Sequence, residues 1–151
     1  AVRYPRGTGP NASVNSDFEA VEIGKAKVVK ESESNVVFLN FGALLDKALE
    51  VSEKMDFTLI DMRFVKPLDQ EILKKYLSKA DYFVSLEDGS IAGGAGSAVQ
   101  EFCSIESIDI KSILLGIPDR FIEHSSREEM LESAGLSVAK ILDRLKPLLG
   151  K

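Results

Sequence analysis

Val36-Val37-Phe38-Leu39-Asn40-Phe41-Gly42 decides the fold, both by its own composition and by what comes after it. The run is short, apolar and rich in β-branched and aromatic residues, which suits a strand. Gly42 lets the backbone turn sharply at little steric cost. Beyond it, Leu44, Leu45, Ala48, Leu49 and Val51 recur at helical spacing, so the stretch reads as one β-α unit. The pattern then repeats. Phe57-Thr58-Leu59-Ile60 is a second apolar strand, followed by Pro67-Leu68-Asp69 and a helical stripe of Ile72, Leu73, Tyr76 and Leu77. Asp69 is placed to cap that helix with its carboxylate. Residues 82–86 predict a third strand, followed by a glycine-rich loop and a helix over about 97–103; residues 112–117 predict a fourth strand, ending at Pro118.

Outward from this block, residues 23–30 carry Ile23, Ala26, Val28 and Val29 between lysines, the half-apolar pattern of an edge strand. Residues 8–18 are rich in Gly, Pro, Asn and Ser and read as a linker. At the other end, Ser125 with Glu128 and Ser126 with Glu129 offer overlapping capping boxes. Gly135 can end that helix, and Ser137 opens a last one that buries Val138, Ile141, Leu142, Leu145 and Leu148. Short apolar strands alternating with amphipathic helices imply right-handed crossovers between parallel strands with both sheet faces covered, a three-layer α/β/α sandwich. Ligands in such sheets sit beyond the carboxyl ends of the strands. The informative loops are therefore those after Phe41, Asp61, Leu86 and Ile117.

Composition narrows the function classes. With 19 basic and 24 acidic residues the chain is net negative, and its lysine groups are interleaved with acids, so no nucleic-acid partner is expected. No apolar run approaches the roughly 20 residues of a membrane span. Cys103 is the only cysteine; it can form neither an internal disulfide nor a zinc site alone, and it fits a reducing compartment. Its place on an apolar helix face with Val99 and Phe102 reads as a small buried hydrophobe.

Asn40-Phe41-Gly42 reads as a tight turn. Asp61-Met62-Arg63-Phe64-Val65-Lys66-Pro67-Leu68-Asp69 has charges at a strand end but no nucleophile-base pair; an interface role for Arg63 is open. The most ligand-like stretch is Glu87-Asp88-Gly89-Ser90-Ile91-Ala92-Gly93-Gly94-Ala95-Gly96-Ser97. Gly93, Gly94, Gly96 and Ser97 could hold a small anion at a helix N-terminus, or pack closely against another domain or subunit. The third glycine of a dinucleotide fingerprint and the Lys-Ser/Thr pair of a phosphate loop are both missing. His124 is the only histidine, stands in Gly116-Ile117-Pro118-Asp119-Arg120-Phe121-Ile122-Glu123-His124, and is assigned no catalytic role. No catalytic residue and no metal ligand is expected in the chain.

Taken in order, these stretches resemble the end of the transketolase-like thiamine-diphosphate enzymes. Asp61-Met62-Arg63 with Pro67-Leu68-Asp69, and Glu87-Asp88 with Gly93-Gly94-x-Gly96-Ser97, are shared broadly in that superfamily, 2-oxo acid dehydrogenase β subunits included. Ala1-Val2-Arg3-Tyr4-Pro5-Arg6-Gly7, Asn40-Phe41-Gly42 and the stretch from Gly116 to His124 are more particular to the deoxyxylulose-phosphate synthases. That family commonly has Gly where this chain has Ser125.

The resemblance implies a five-stranded, mostly parallel sheet with one antiparallel edge strand. It makes residues 1–22 the end of a preceding pyrimidine-binding domain with its linker, and residues 23–151 a transketolase C-terminal-like domain. Such synthases join pyruvate to D-glyceraldehyde 3-phosphate with loss of CO2, supplying isoprenoid, thiamine and pyridoxal synthesis. They use thiamine diphosphate and Mg2+, held mainly by other domains, so neither is expected to bind this chain alone. Arg6 matches an arginine that contacts the substrate phosphate, a task suited to a guanidinium. The implied partners are the N-terminal domains of the same polypeptide and a second subunit in a homodimer; the implied location is the bacterial cytoplasm, or the plastid of a plant or alga. Two other readings stay open: the matching domain of a transketolase or 2-oxo acid dehydrogenase β subunit, and a non-enzymatic α/β module binding a small anion.

Overall fold

A computed structural model describes residues 1–2 and 20–148 of the chain. Arg6 and the linker at residues 8–18 lie outside the described residues. Strand β1 is Lys27–Lys30, β2 Val36–Phe41, β3 Thr58–Asp61, β4 Tyr82–Ser90 and β5 Lys111–Ile117; helix α1 is Leu45–Met55, α2 Gln70–Leu77, α3 Ala95–Ile105, α4 Arg127–Ala134 and α5 Val138–Leu145. The sheet order is β1-β3-β2-β4-β5, parallel throughout except for β1 against β3.

Every residue of the central strand β2 is buried, because successive side chains point to opposite faces and both faces are covered. Val36 and Phe38 join a core with Ala48 and Val51 of α1, Leu131 of α4, and Ile141 and Leu145 of α5. Val37, Leu39 and Phe41 join the opposite core with Leu73 and Leu77 of α2 and Val99, Phe102 and Cys103 of α3. These two cores make the three layers expected. Burial of the Cys103 side chain pushes its thiol pKa up, away from reactive thiolate.

Caps appear where the sequence places them. Asp69 Oδ1 accepts from Ile72 N at 3.1 Å, while its Oδ2 accepts from Ala26 N at 3.0 Å, so one buried carboxylate both caps α2 and ties down the segment leading into β1. Of the two overlapping capping boxes, Ser126 with Glu129 forms, and the Ser125 hydroxyl also bonds the Glu129 carboxylate. Those bonds from Ser125 and Ser126 hold the Glu129 carboxyl down to about 2. Gly135 ends α4 at φ 78°.

Two elements differ from expectation. The edge strand starts at Lys27 rather than at residue 23: Gly24 turns the chain at φ 74°, and Ile23 is left 74% exposed. The third strand runs on to Ser90, so Glu87-Asp88-Gly89-Ser90 is strand and not loop, and α3 begins at Ala95, two residues ahead of the expected start. No helix among the described residues is long and apolar enough to cross a membrane.

Replacing Asp69 by Ala removes the α2 cap and leaves the Ala26 amide unsatisfied, and is expected to cost about 2–3 kcal/mol in urea denaturation. At α4 the linkage runs the usual way for a depressed carboxyl: the cap's contribution is complete above the ordinary glutamate pKa of 4.5 and is lost as pH falls through about 2. An NMR titration of the Glu129 side chain is expected to place its midpoint there, and E129Q to abolish the transition.

Candidate functional site

The chain leaves β2 for β3 through α1 on one face, then passes back over β2 to β4 through α2 on the other. Direction thus reverses at β2, and the crevice rule points to the carboxyl ends of β2, β3 and β4. Phe41 is in register with Glu87 there, and Asn40 with Asp61.

Glu87 organises the β4 side. Its carboxylate is buried at 7% exposure, with Oε2 accepting from Ala95 N at 3.0 Å and Oε1 from Gly96 N at 3.1 Å. A negative side chain therefore sits on the positive end of α3 and satisfies two of its orphan amides. The glycines follow from this closeness. A Cβ on Gly94 would stand 2.2 Å from Ser90 O and 2.5 Å from Glu87 Oε2; one on Gly96 would stand 2.4 Å from Ser85 Oγ and 2.9 Å from Leu114 Cδ2. Both glycines are thus required by packing within this chain. Gly93 differs: it has φ 68° with nothing within 4 Å of its Cβ position, and is exposed. Ser97 Oγ donates to Ile91 O at 3.3 Å.

The β2–β3 side is polar beneath its surface. Asn40 is fully buried; its Nδ2 donates to Gly42 O at 3.1 Å and reaches Asp61 Oδ1 at 3.5 Å, while its Oδ1 has no hydrogen-bond partner among the described residues. Next to Asp61, Arg63 takes the left-handed conformation at φ 58° and brings Nε to 3.9 Å from Asp61 Oδ2. A non-glycine residue held there costs energy and is concentrated at functional positions. The sequence leaves Arg63 only an open interface role, and its signal there is the pair of opposite charges, Asp61 and Arg63, at a strand's carboxyl end. His124 is exposed on the loop after β5. Among the described residues no hydrogen bond or ion pair joins it to Arg63 or Glu87, and Cys103 lies in the core.

A shallow cleft of about 270 Å³ is bordered by Ser32, Glu33, Asn35, Thr58, Lys75 and Tyr76, at the amino ends of the strands. Its rim is occupied by the Tyr76 hydroxyl bonded to Glu31 and by Lys75 over the Tyr76 ring, groups already engaged with one another. The carboxyl edge is the better candidate on topology and strain. It presents Arg63 and the exposed Gly93; no group of three or more His, Cys, Asp or Glu able to hold a metal occurs among the described residues.

Residues 24–141 match the family described as transketolase, C-terminal domain. The chain belongs to that family. Within it, the chain is similar to 1-deoxy-D-xylulose-5-phosphate synthases: 50% identical over 141 residues to that of Psychromonas ingrahamii and 48% over 141 residues to that of Stutzerimonas stutzeri, covering 90% and 93% of this chain. In each case it spans 22% of the relative's length. Among solved structures it resembles a split-gene transketolase described as an inactive β4 tetramer, with TM-score 0.77 and 30% identity over 85% of this chain and 43% of that one. The transketolase of Campylobacter jejuni shares the fold, with TM-score 0.60 and 21% identity over 86% of this chain and 19% of its own.

The two kinds of glycine should separate on substitution. Gly94→Ala forces a methyl group into Ser90 O and Glu87 and is expected to cost about 3 kcal/mol. Gly93→Ala meets only the left-handed backbone penalty, about 1 kcal/mol. Thermal denaturation of both variants beside the wild type checks the difference.

Proposed function

We propose that this chain is the C-terminal domain of a 1-deoxy-D-xylulose-5-phosphate synthase, the enzyme that joins pyruvate to D-glyceraldehyde 3-phosphate with loss of CO2. The domain supplies a rigid support and a subunit contact rather than the reacting groups. The observation that carries this is Glu87: the N-terminus of α3, the place where the glycine-rich loop would receive an anion, already holds the chain's own carboxylate. Identities of 48–50% to synthases, against 30% to the split-gene transketolase, favour the synthase over the transketolase reading.

Residues 1–22 are then the end of the preceding pyrimidine-binding domain with its linker, and Arg6 binds the substrate phosphate in the intact enzyme. Thiamine diphosphate and Mg2+ belong to the other domains. The described residues do not fit them: two α3 amides are engaged by Glu87, and no acid or histidine cluster offers a cation its donors. The carboxyl edge, with Arg63, Gly93 and the loop after β5, faces the remainder of the polypeptide. The intact enzyme works as a homodimer in the bacterial cytoplasm, or in a plastid if the source is a plant or alga.

Isothermal titration of this chain with thiamine diphosphate and Mg2+ is expected to give no saturable heat. Specific binding in the micromolar range would sink the supporting-domain reading. In the full-length enzyme, Arg6→Ala is expected to lower kcat/KM for the sugar phosphate by about 10- to 100-fold, the worth of a charge-assisted hydrogen-bond pair. A thermal shift of this chain with inorganic phosphate would instead favour the small-anion module.

A further inference from the structure

Strand β5 closes one side of the sheet and, among the described residues, has no neighbouring strand beyond it. Which of its backbone groups face outward follows from two hydrogen bonds. Lys111 N donates to Asp81 O at 3.2 Å, and Ile117 O accepts from Ile91 N at 3.1 Å, so the odd-numbered residues turn their groups toward β4 and the segment that continues it. In a strand the groups of alternate residues point to opposite sides, so Ser112, Leu114 and Gly116 turn N–H and C=O outward. Among the described residues, none of those backbone groups has a hydrogen-bond partner.

The side chains along this edge are self-complementary. Ile113, Leu115 and Ile117 share one face of the strand, and Ile113 and Ile117 are only partly buried. On the other face Leu114 lies over Gly96, and Ser112 accepts from Gln100 at 2.8 Å, so α3 covers that side. Lys111 stands at the start of the strand and Asp119 just past its end, both exposed.

We propose that a second copy of this chain pairs here, β5 against β5 in antiparallel sense, about a twofold axis at Leu115. This deepens the homodimer reading above, on which it rests, by naming the contact. In this register Leu114 exchanges main-chain hydrogen bonds with the partner's Gly116, and Gly116 with the partner's Leu114. Ile113 meets the partner's Ile117, and Lys111 meets the partner's Asp119 across the interface, twice by symmetry. Charge selects the register. Moving the axis to Leu114 keeps the hydrogen bonds but sets Asp109 against the partner's Asp119, a like-charge pair, and Lys111 against an isoleucine.

Sedimentation equilibrium of this chain, with charge variants, tests the pairing. Wild type is expected to dimerise. Lys111→Asp and Asp119→Lys should each weaken the dimer by about tenfold or more, and the double exchange, which restores opposite charges, should recover most of the loss. Hydrogen exchange gives an independent readout: the Leu114 and Gly116 amides should become protected as protein concentration rises, and should stay unprotected in Lys111→Asp. A chain that dimerises with all three charge variants unchanged overturns the β5 contact while leaving the homodimer reading in place. A chain that stays monomeric to roughly 1 mM also overturns it. A full-length enzyme that is itself monomeric overturns both.

Discussion

The carboxylate of Glu87 on the first amides of α3 is the contact from which the carboxyl edge of this domain takes its shape. To put that group beneath the helix, β4 has to run past the point where its apolar residues end, and the chain then has to return within a few residues. Gly94 and Gly96 are the places where that return brings backbone to within a methyl group's width of other atoms. Gly116 fits the same scheme from β5: a Cβ there would stand 3.0 Å from Gly89 O and 3.1 Å from Glu87 Cγ. Buried, hydrogen-bonded charge of this kind is costly to break, because removing one partner strands the other away from water.

Behind that edge the sheet is anchored by burial on both faces. Phe38 and Leu39 are both at 0% exposure yet point into different cores, so the two helical layers are held to one strand rather than to each other. The chain's own polar ties reinforce this at the periphery. Asp69 joins α2 to the segment entering β1, and Lys30 lays its ammonium against Ser52 O at 3.3 Å and Asp56 Oδ1 at 2.7 Å, at the carboxyl end of α1 where a cation is favoured.

Much of this was legible in the sequence, because it is written in periodicity and caps. The apolar run of β2, the helical stripes, Asp69, the Ser126 box and Gly135 all read locally and fold as read. What could not be read were features decided by distant partners. Glu87-Asp88-Gly89-Ser90 has the composition of a turn, and only distant partners, Phe41 of β2 beside it and the amides of α3, make Glu87 a buried strand residue. The glycines after it allow ligand approach and internal packing equally well until Ser90 O and Ser85 Oγ are seen beside them. Arg63 carries no local sign of its left-handed backbone, since arginine is not a residue that prefers it. Ile23 looked apolar enough for a strand, but the turn at Gly24 keeps it out of the ladder.

The opposite border of the sheet has its own consequence. Strand β1 is short, runs against its neighbour, and loses register between Val28 and Lys30, with Lys27 exposed beside the break. An irregular margin carrying lysine is a poor template for another strand. Were β5 to pair with a second copy as proposed, the described residues would leave no regular margin open, so the assembly would terminate at a pair instead of growing into a filament.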